Sequence, residues 1–297
     1  MAALPSLVSS KRALRRWLGA WALWACGCAW GATTVIFPRV ETLDEPEGDY
    51  AVALLRLALE KAGGQYQVSL SPLPMQQNRA MLELEQGSGR VDILATVTSA
   101  EREQRLLPVR IPLTKGLVGW RIGLLRTGEQ ERLRKVRDLA GLRAFSAAQG
   151  ADWPDTAILR NSGLTVVTAA SYRELFNMLG VGQVDWMPRS VNEVWADAAR
   201  HPGLAVEPAL ALHYPAADYF FVRRGNTGLA EAVRQGVEAA LADGSFDRLF
   251  YQHYGALIRR AALAGRRVIE LPNPLLPPET PLGRRELWFV PDDAPNR

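Results

Sequence analysis

The stretch Val91-Asp92-Ile93-Leu94-Ala95, followed by Thr96-Val97-Thr98-Ser99-Ala100-Glu101-Arg102, decides the fold. Val91 to Ala95 is too short for a helix and suits a strand buried on both faces. Thr98-x-x-Glu101 then has capping-box spacing, so a helix starts directly after the strand. Strand into helix is the repeating unit of a largely parallel sheet. Upstream, a helical pattern runs through Arg79 to Glu85 and stops near Gly87. Before it, Tyr66 to Leu70 alternates as a strand. Earlier still, Asp49 caps a helix whose Tyr50, Leu54, Leu57 and Ala58 share a face ahead of Gly63-Gly64, and Val35 to Phe37 begins the first strand. Two βα units are complete by residue 95.

Downstream, Leu117 to Leu125 is extended in character, and the alternation then restarts. Arg143 to Ser146 precedes a helix from Pro154, Thr165 to Val167 a helix after Ser171, and Val184 to Met187 a helix after Ser190. Ser171-x-x-Glu174 and Ser190-x-x-Glu193 repeat the capping-box spacing. Tyr219 to Val222 is extended again. Helical spacing follows at Leu229, Val233 and Val237, and at Phe246, Leu249 and Phe250. From Leu271 onward, Pro272, Pro274, Pro277, Pro278 and Pro281 predict an extended strap over the surface.

The chain has 297 residues, 48% of them hydrophobic, ample for a packed core. Its formal charge of +4 comes from Lys11, Arg12, Arg15 and Arg16, all in an N-terminal stretch without acids. The remaining 31 bases balance 31 acids. A neutral remainder has no excess charge to exchange for phosphate counterions, so no nucleic-acid partner is expected. The stretch itself reads as an export signal. A basic segment to Arg16 precedes an apolar run from Trp17 to Trp30, too short to span a bilayer, and small residues place a cut after Gly31. Both cysteines would leave with it, and the mature chain would be thiol-free, as suits an oxidising compartment. Leu23-Trp24-Ala25 before Cys26 is a poor lipobox because of Trp24, so the lipoprotein alternative ranks below a free periplasmic protein.

Four features in order, Gly89 to Ala95 leading into Ser99-Ala100-Glu101-Arg102, Asp138-Leu139-Ala140-Gly141, and Asp243-Gly244-Ser245-Phe246, resemble the extracellular solute-binding proteins of polar amino-acid ABC importers. The likeness spans residues 33 to 255. Gln149-Gly150, Trp153-Pro154-Asp155-Thr156, Pro188-Arg189 and the Asn273 to Pro281 tail resemble an uncharacterised branch of that family. The resemblance implies two α/β lobes joined by two crossing hinge strands, the periplasmic-binding-protein type II fold, closing on a ligand. The division expected is a signal peptide over 1–31, a first lobe over 32–118 and 221–270, a second lobe over 119–220, and the Pro-rich strap over 271–297.

In the first lobe the site candidates are Thr96, Thr98, Ser99 and Arg102. The resemblance implies that a hydroxyl followed three residues later by Arg clamps a ligand carboxylate, and Ser99 with Arg102 has that spacing. The structural alternative is a simple helix cap with Arg102 solvated. Asn78 and Arg79 stand at another loop-to-helix junction, where an exposed-helix role competes. In the second lobe, Gln149 and Gly150 precede a helix start whose free amides attract anions, and Trp153 either stacks on a ligand or packs at the hinge. The family pairs an Asp with the ligand ammonium at a position where this chain has Ser190, which speaks against an α-amino acid. Arg189 is instead expected to meet a second anionic or carbonyl group. Tyr214, with Asp218 and Tyr219, lies near the second hinge strand and is a candidate to line the cleft floor, with packing the simpler role.

His201, His213 and His253 lack metal-ligand spacing, and no phosphate-loop or dinucleotide motif occurs, so neither metal nor cofactor is expected. The expectation is a monomeric, non-enzymatic binder of a small polar, anionic ligand, partnered by an ABC permease. Two alternatives stay open: a ligand-sensing module partnered by a membrane sensor, and a carboxylate-dependent dehydratase-like enzyme on the same fold.

Overall fold

The computed structural model describes residues 1–2, 33–40, 46–63 and 66–291. The expected leader with Cys26, and the last six residues of the strap, lie outside the described residues.

The first lobe opens with β1 (Thr33–Val40), α1 (Pro46–Lys61) and β2 (Tyr66–Met75), and the two strands pair in parallel. α1 starts before Asp49 and buries Tyr50, Leu54, Leu55 and Ala58 on one face. α2 (Gln77–Gln86) stops at Gly87, whose left-handed backbone places its N–H on the last helical carbonyls. β3 (Ile93–Val97), α3 (Ala100–Arg105) and β4 (Leu106–Val109) complete the run. Asp92 joins β1 to β3: its carboxylate accepts the Ile36 N–H at 2.8 Å and its own N–H donates to Ile36 O at 2.9 Å.

The second lobe follows as β5 (Trp120–Arg126), α4 (Gln130–Arg134), α5 (Leu139–Leu142), β6 (Ser146–Gly150), α6 (Pro154–Asn161), β7 (Thr165–Ala169), α7 (Tyr172–Gly180), β8 (Met187–Ser190), α8 (Val194–Arg200) and β9 (Leu204–His213). β6 and β7 are parallel, and Ala148 N–H donates to Trp186 O at 2.9 Å, which joins β6 to the segment entering β8. β5 runs antiparallel between β8 and β9.

The chain then returns. β10 (Asp218–Arg223) inserts antiparallel between β3 and β4, and its Tyr219, Phe220, Phe221 and Val222 are fully buried. Each such ring or branched side chain stabilises the lobe by about 1.5–3 kcal/mol. α9 (Thr227–Ala242) and α10 (Ser245–Ala261) share a core with α1 through Val233, Val237, Phe246 and Phe250. β11 (Arg267–Glu270) pairs in parallel with β9. The expected grouping of residues 221–270 with the first lobe therefore fails at its end, because the last four of them extend the second sheet.

Residues 110–119 and 214–217 cross between the two sheets side by side. Leu113 N–H donates to Asp218 O at 2.9 Å, and Tyr214 N–H to Gly119 O at 3.3 Å. A Cβ at Gly119 would stand 2.1 Å from Tyr214 O, so only glycine permits this approach. The C-terminal segment runs over the same crossings. Leu271 N–H donates to His213 O at 2.8 Å, Asn273 Nδ2 to Pro215 O at 2.8 Å, and Phe289 N–H to Lys115 O at 2.7 Å.

Some element bounds differ from the sequence reading. Leu117–Gly119 is a 3-10 turn before β5, and the strands expected at 143–146 and 184–187 lie further on, at β6 and β8. Their polar ends, Gln149 and Arg189-Ser190, look like loop from composition but are held extended by buried hydrogen bonds. Pro208 and the buried Glu207 mask β9 in the same way.

Candidate functional site

α3 begins where β3 ends, and Ser99 rather than Thr98 caps it: Ser99 Oγ accepts the Arg102 N–H at 3.2 Å. The Thr98-x-x-Glu101 box does not form, because Thr98 Oγ1 donates instead to Glu103 at 2.7 Å. The cap turns Arg102 back under the helix, where it is 5% exposed. Its Nη1 donates to Thr96 Oγ1 at 2.8 Å and to Val97 O at 2.6 Å, and its Nη2 to Gln77 Oε1 at 2.9 Å. All three acceptors are uncharged. Nε and one Nη2 hydrogen meet no acceptor among the described residues. Burial pulls the Arg102 pKa below the ordinary guanidinium value, and the nearby Asp152, Glu101 and Asp155 offset only part of that. Leu275 O in the strap accepts the Ala100 N–H at 3.2 Å, so the chain's tail closes one side of this helix start.

The second lobe meets it from across the cleft. Asn78 Nδ2, at the start of α2, donates to the Asp152 carboxylate ahead of α6, which makes a direct bond between the lobes. Arg79 is not part of this meeting: it is exposed and pairs with Glu83 one turn along its own helix. Gly150 is buried under the Trp153 ring, and a Cβ there would come within 2.5 Å of it. Trp153 packs at 5.4 Å against Tyr172. The Gln149 side chain is 1% exposed and donates through Nε2 to Pro188 O at 3.0 Å.

Behind this edge lies a charge network that sequence reasoning missed. Arg121, in the apolar run Leu117 to Leu125, bonds Asp155 at 2.7 Å and Tyr214 Oη at 2.8 Å, and stands 3.8 Å from Glu193. Tyr214 O–H in turn donates to Asp155. Arg189 is held by Asp197 at 2.6 Å, by Glu193 at 3.1 Å and by the Tyr172 hydroxyl, with its guanidinium 5.0 and 5.1 Å from the Trp153 and Tyr172 ring centres. Burial opposes the charge on both arginines, but Asp155, Tyr214 and Glu193 outweigh it at Arg121, and Glu193, Tyr172 and Asp197 at Arg189. Both pKa values therefore rise. Arg200 adds a further bond to Asp197 at 2.9 Å.

Arg189 Nε and Nη2 are taken by protein partners and its charge is matched by Asp197 and Glu193, so it offers a ligand anion no unmatched charge, and Tyr214 is engaged by Arg121 and Asp155, in keeping with the packing role. Ser190, expected to start a helix, is no helix cap. Its N–H donates to Glu193 at 3.2 Å and its Oγ accepts from Asn192 N–H at 3.4 Å, while α8 starts only at Val194. A charged residue inside an apolar strand run was the available signal for Arg121, since such a charge is buried only with partners. Among the described residues, no group of three His, Cys, Asp or Glu could hold a metal ion, and no helix is long and apolar enough to cross a membrane.

No protein-family model and no curated protein matches the chain. Solved structures do. An ancestral arginine-binding protein bound to arginine superimposes with a TM-score of 0.56 at 17% identity, covering 74% of this chain and 98% of its own. The chain has the periplasmic-binding-protein type II fold. An arginine-specific periplasmic binding protein of Salmonella typhimurium matches at 0.56 and 14% identity, covering 74% and 99%. A histidine kinase sensor domain similar to periplasmic binding proteins matches at 0.54 and 18% identity, covering 75% and 96%. The binding-protein fold accounts for the two α/β lobes.

Proposed function

We propose that the chain is an exported solute-binding protein, released into the periplasm by a cut after Gly31, that captures a small polar, anionic molecule between its lobes for ABC-type uptake. The observation that carries this reading is Arg102: a guanidinium buried beside the cleft, with only neutral acceptors bonded to it. A buried charge without a bonded counter-charge is costly, and an incoming carboxylate or similar anion relieves that cost through the paired donor geometry of the fork. The Asn78 to Asp152 bond supports a closed arrangement in which such a ligand touches both lobes and stabilises closure by its greater affinity for that form. The role proposed is binding rather than catalysis.

A thermal-shift screen of the chain lacking residues 1–31, run over carboxylates, amines, amino acids and small ring compounds, tests the reading. Carboxylates are expected to raise the melting temperature, since a ligand at a hundred times its Kd adds about 2.7 kcal/mol to the folded state. Stabilisation by cationic amines alone would overturn it. Coupling to a membrane sensor is the competing reading, favoured by the histidine-kinase sensor domain that shares the fold. Neighbouring genes for a permease and ATPase, or for a kinase or cyclase, separate the two.

A further inference from the structure

Two carboxamides at the ligand-facing edge of the second lobe are left with unmet hydrogen-bonding capacity. Gln149 is 1% and Asn192 2% exposed. Gln149 Oε1, Asn192 Oδ1 and Asn192 Nδ2 are all buried without a partner. Buried polar groups are nearly always paired, so three such atoms, on Gln149 in β6 and on Asn192 in the turn after β8, mark a place where an occupant would complete the pairing. Gln149 lies near the carboxyl end of β6 and Asn192 just past that of β8, the end of parallel strands at which α/β sheets bind ligands. Asp152, three residues after Gln149, bonds Asn78 of the first lobe, so this edge faces the cleft. The orientation of Gln149 is set by its neighbours. Nε2 donates to Pro188 O, and flipping the amide would put two oxygens together.

Charge decides what the occupant is not. Asp155, Glu193 and Asp197 are each held by Arg121, Arg189 or Arg200, so an ammonium or guanidinium would find no free acid among these three, and the Asp152 carboxylate at the same edge is engaged by Asn78 Nδ2 of the first lobe. A second carboxylate would bring no N–H for Gln149 Oε1. A primary carboxamide supplies two N–H donors and one carbonyl, and a ureide the same set with one further N–H, which complements Gln149 Oε1, Asn192 Oδ1 and Asn192 Nδ2. Resting on the reading of Arg102 as the anion anchor, we propose that the ligand is an acid whose far end is a neutral amide or ureide, read by Gln149 and Asn192.

The test is calorimetry of the mature chain with end-matched probes: succinamate, succinate, 4-aminobutyrate and butyrate, each also with one or two further methylenes. The monoamide is expected to bind at least about tenfold tighter than the other three, as one or two added hydrogen bonds predict. Asn192→Leu and Gln149→Leu are each expected to bring the monoamide down toward the butyrate analogue. Asn192→Asp keeps the shape and adds a charge, and is expected to turn the preference toward the ω-amino acid, which a purely structural asparagine would not do. Equal binding of all four probes overturns the amide subsite and leaves the acid-binding reading intact. Tightest binding of the ω-amino acid by the unaltered chain also overturns the subsite. No binding by any of these acids overturns both. Because the unaltered chain decides between these outcomes, a variant that fails to fold does not remove the test.

Discussion

Arg102 in the first lobe and Arg189 in the second are both buried and both stand beside the cleft, yet their surroundings are opposite. Arg189 has two carboxylates, a phenol and two ring faces, whereas Arg102 has two side-chain oxygens and one backbone carbonyl, all neutral. Burial acts on both to lower the pKa. Acids reverse that at Arg189, while at Arg102 the more distant ones do not. The same residue type therefore serves as a structural rivet in one lobe and as an open cationic site in the other. What separates them is whether the protein itself provides the anion.

The contrast breaks most visibly in stability. Arg189→Ala leaves Asp197, itself fully buried, and Glu193 short of a counter-charge, and such losses cost about 3–5 kcal/mol. Denaturant unfolding is expected to show that loss with or without ligand. A loss below about 1 kcal/mol would mean that Arg189 is not the rivet described. Arg102→Ala is expected to be gentler on the fold and harsher on binding, weakening an anionic ligand about tenfold to a hundredfold by calorimetry. Arg102→Lys keeps the charge but loses the planar fork, and should recover only part of that affinity. Unchanged affinity in Arg102→Ala would remove the distinction between the two arginines.

The smallest expected effect sits on the helix that carries Asp197. His201, at the end of α8, stacks on Phe176 with ring centres 3.8 Å apart. Burial holds its pKa below the ordinary 6.5, with Asp197 opposing and Arg200 assisting. A histidine depressed in the folded state adds stability above its unfolded value and loses it as pH falls through the folded value. His201→Phe preserves the stack and should reduce the drop in melting temperature between about pH 7.5 and pH 5.5. An identical pH profile in the variant would show that this imidazole stays out of the balance.

The contrast between the two arginines also shows what residue order can reveal. Ser99 with Arg102 is legible because cap and guanidinium are three apart on one short helix, and their contact is local. The helical spacings at Leu229, Val233 and Val237 are legible for the same reason. Arg189 is harder to read, because its counter-charge Glu193 falls in the apparent Ser190 capping box and its other counter-charge, Asp197, meets it only when α8 folds back against β8. Arg121 is hidden inside a run whose apolar character dominates any reading, and its partner Asp155 belongs to a different unit of the lobe. Asn192 was overlooked inside a supposed Ser190 cap. Its importance lies in the partner it lacks, and a missing partner leaves no mark in composition or spacing.

The place of β10 bears on how the molecule comes into being. β3 and β4 flank a gap that is filled only by Asp218–Arg223, after the whole of β5 to β9 has been laid down between Val109 and Asp218. Pairings across so long a loop are slow to form, because the closure entropy is lost before the contacts return it. The second lobe, nearly contiguous in the chain, is therefore the natural early folder. The first lobe waits as two half-sheets with exposed inner edges until Tyr219 to Val222 slot between them. Arg102, hung on Thr96 and Val97 at the end of β3, acquires its final position in that same late event, so the proposed anion site is completed by the last strand to dock.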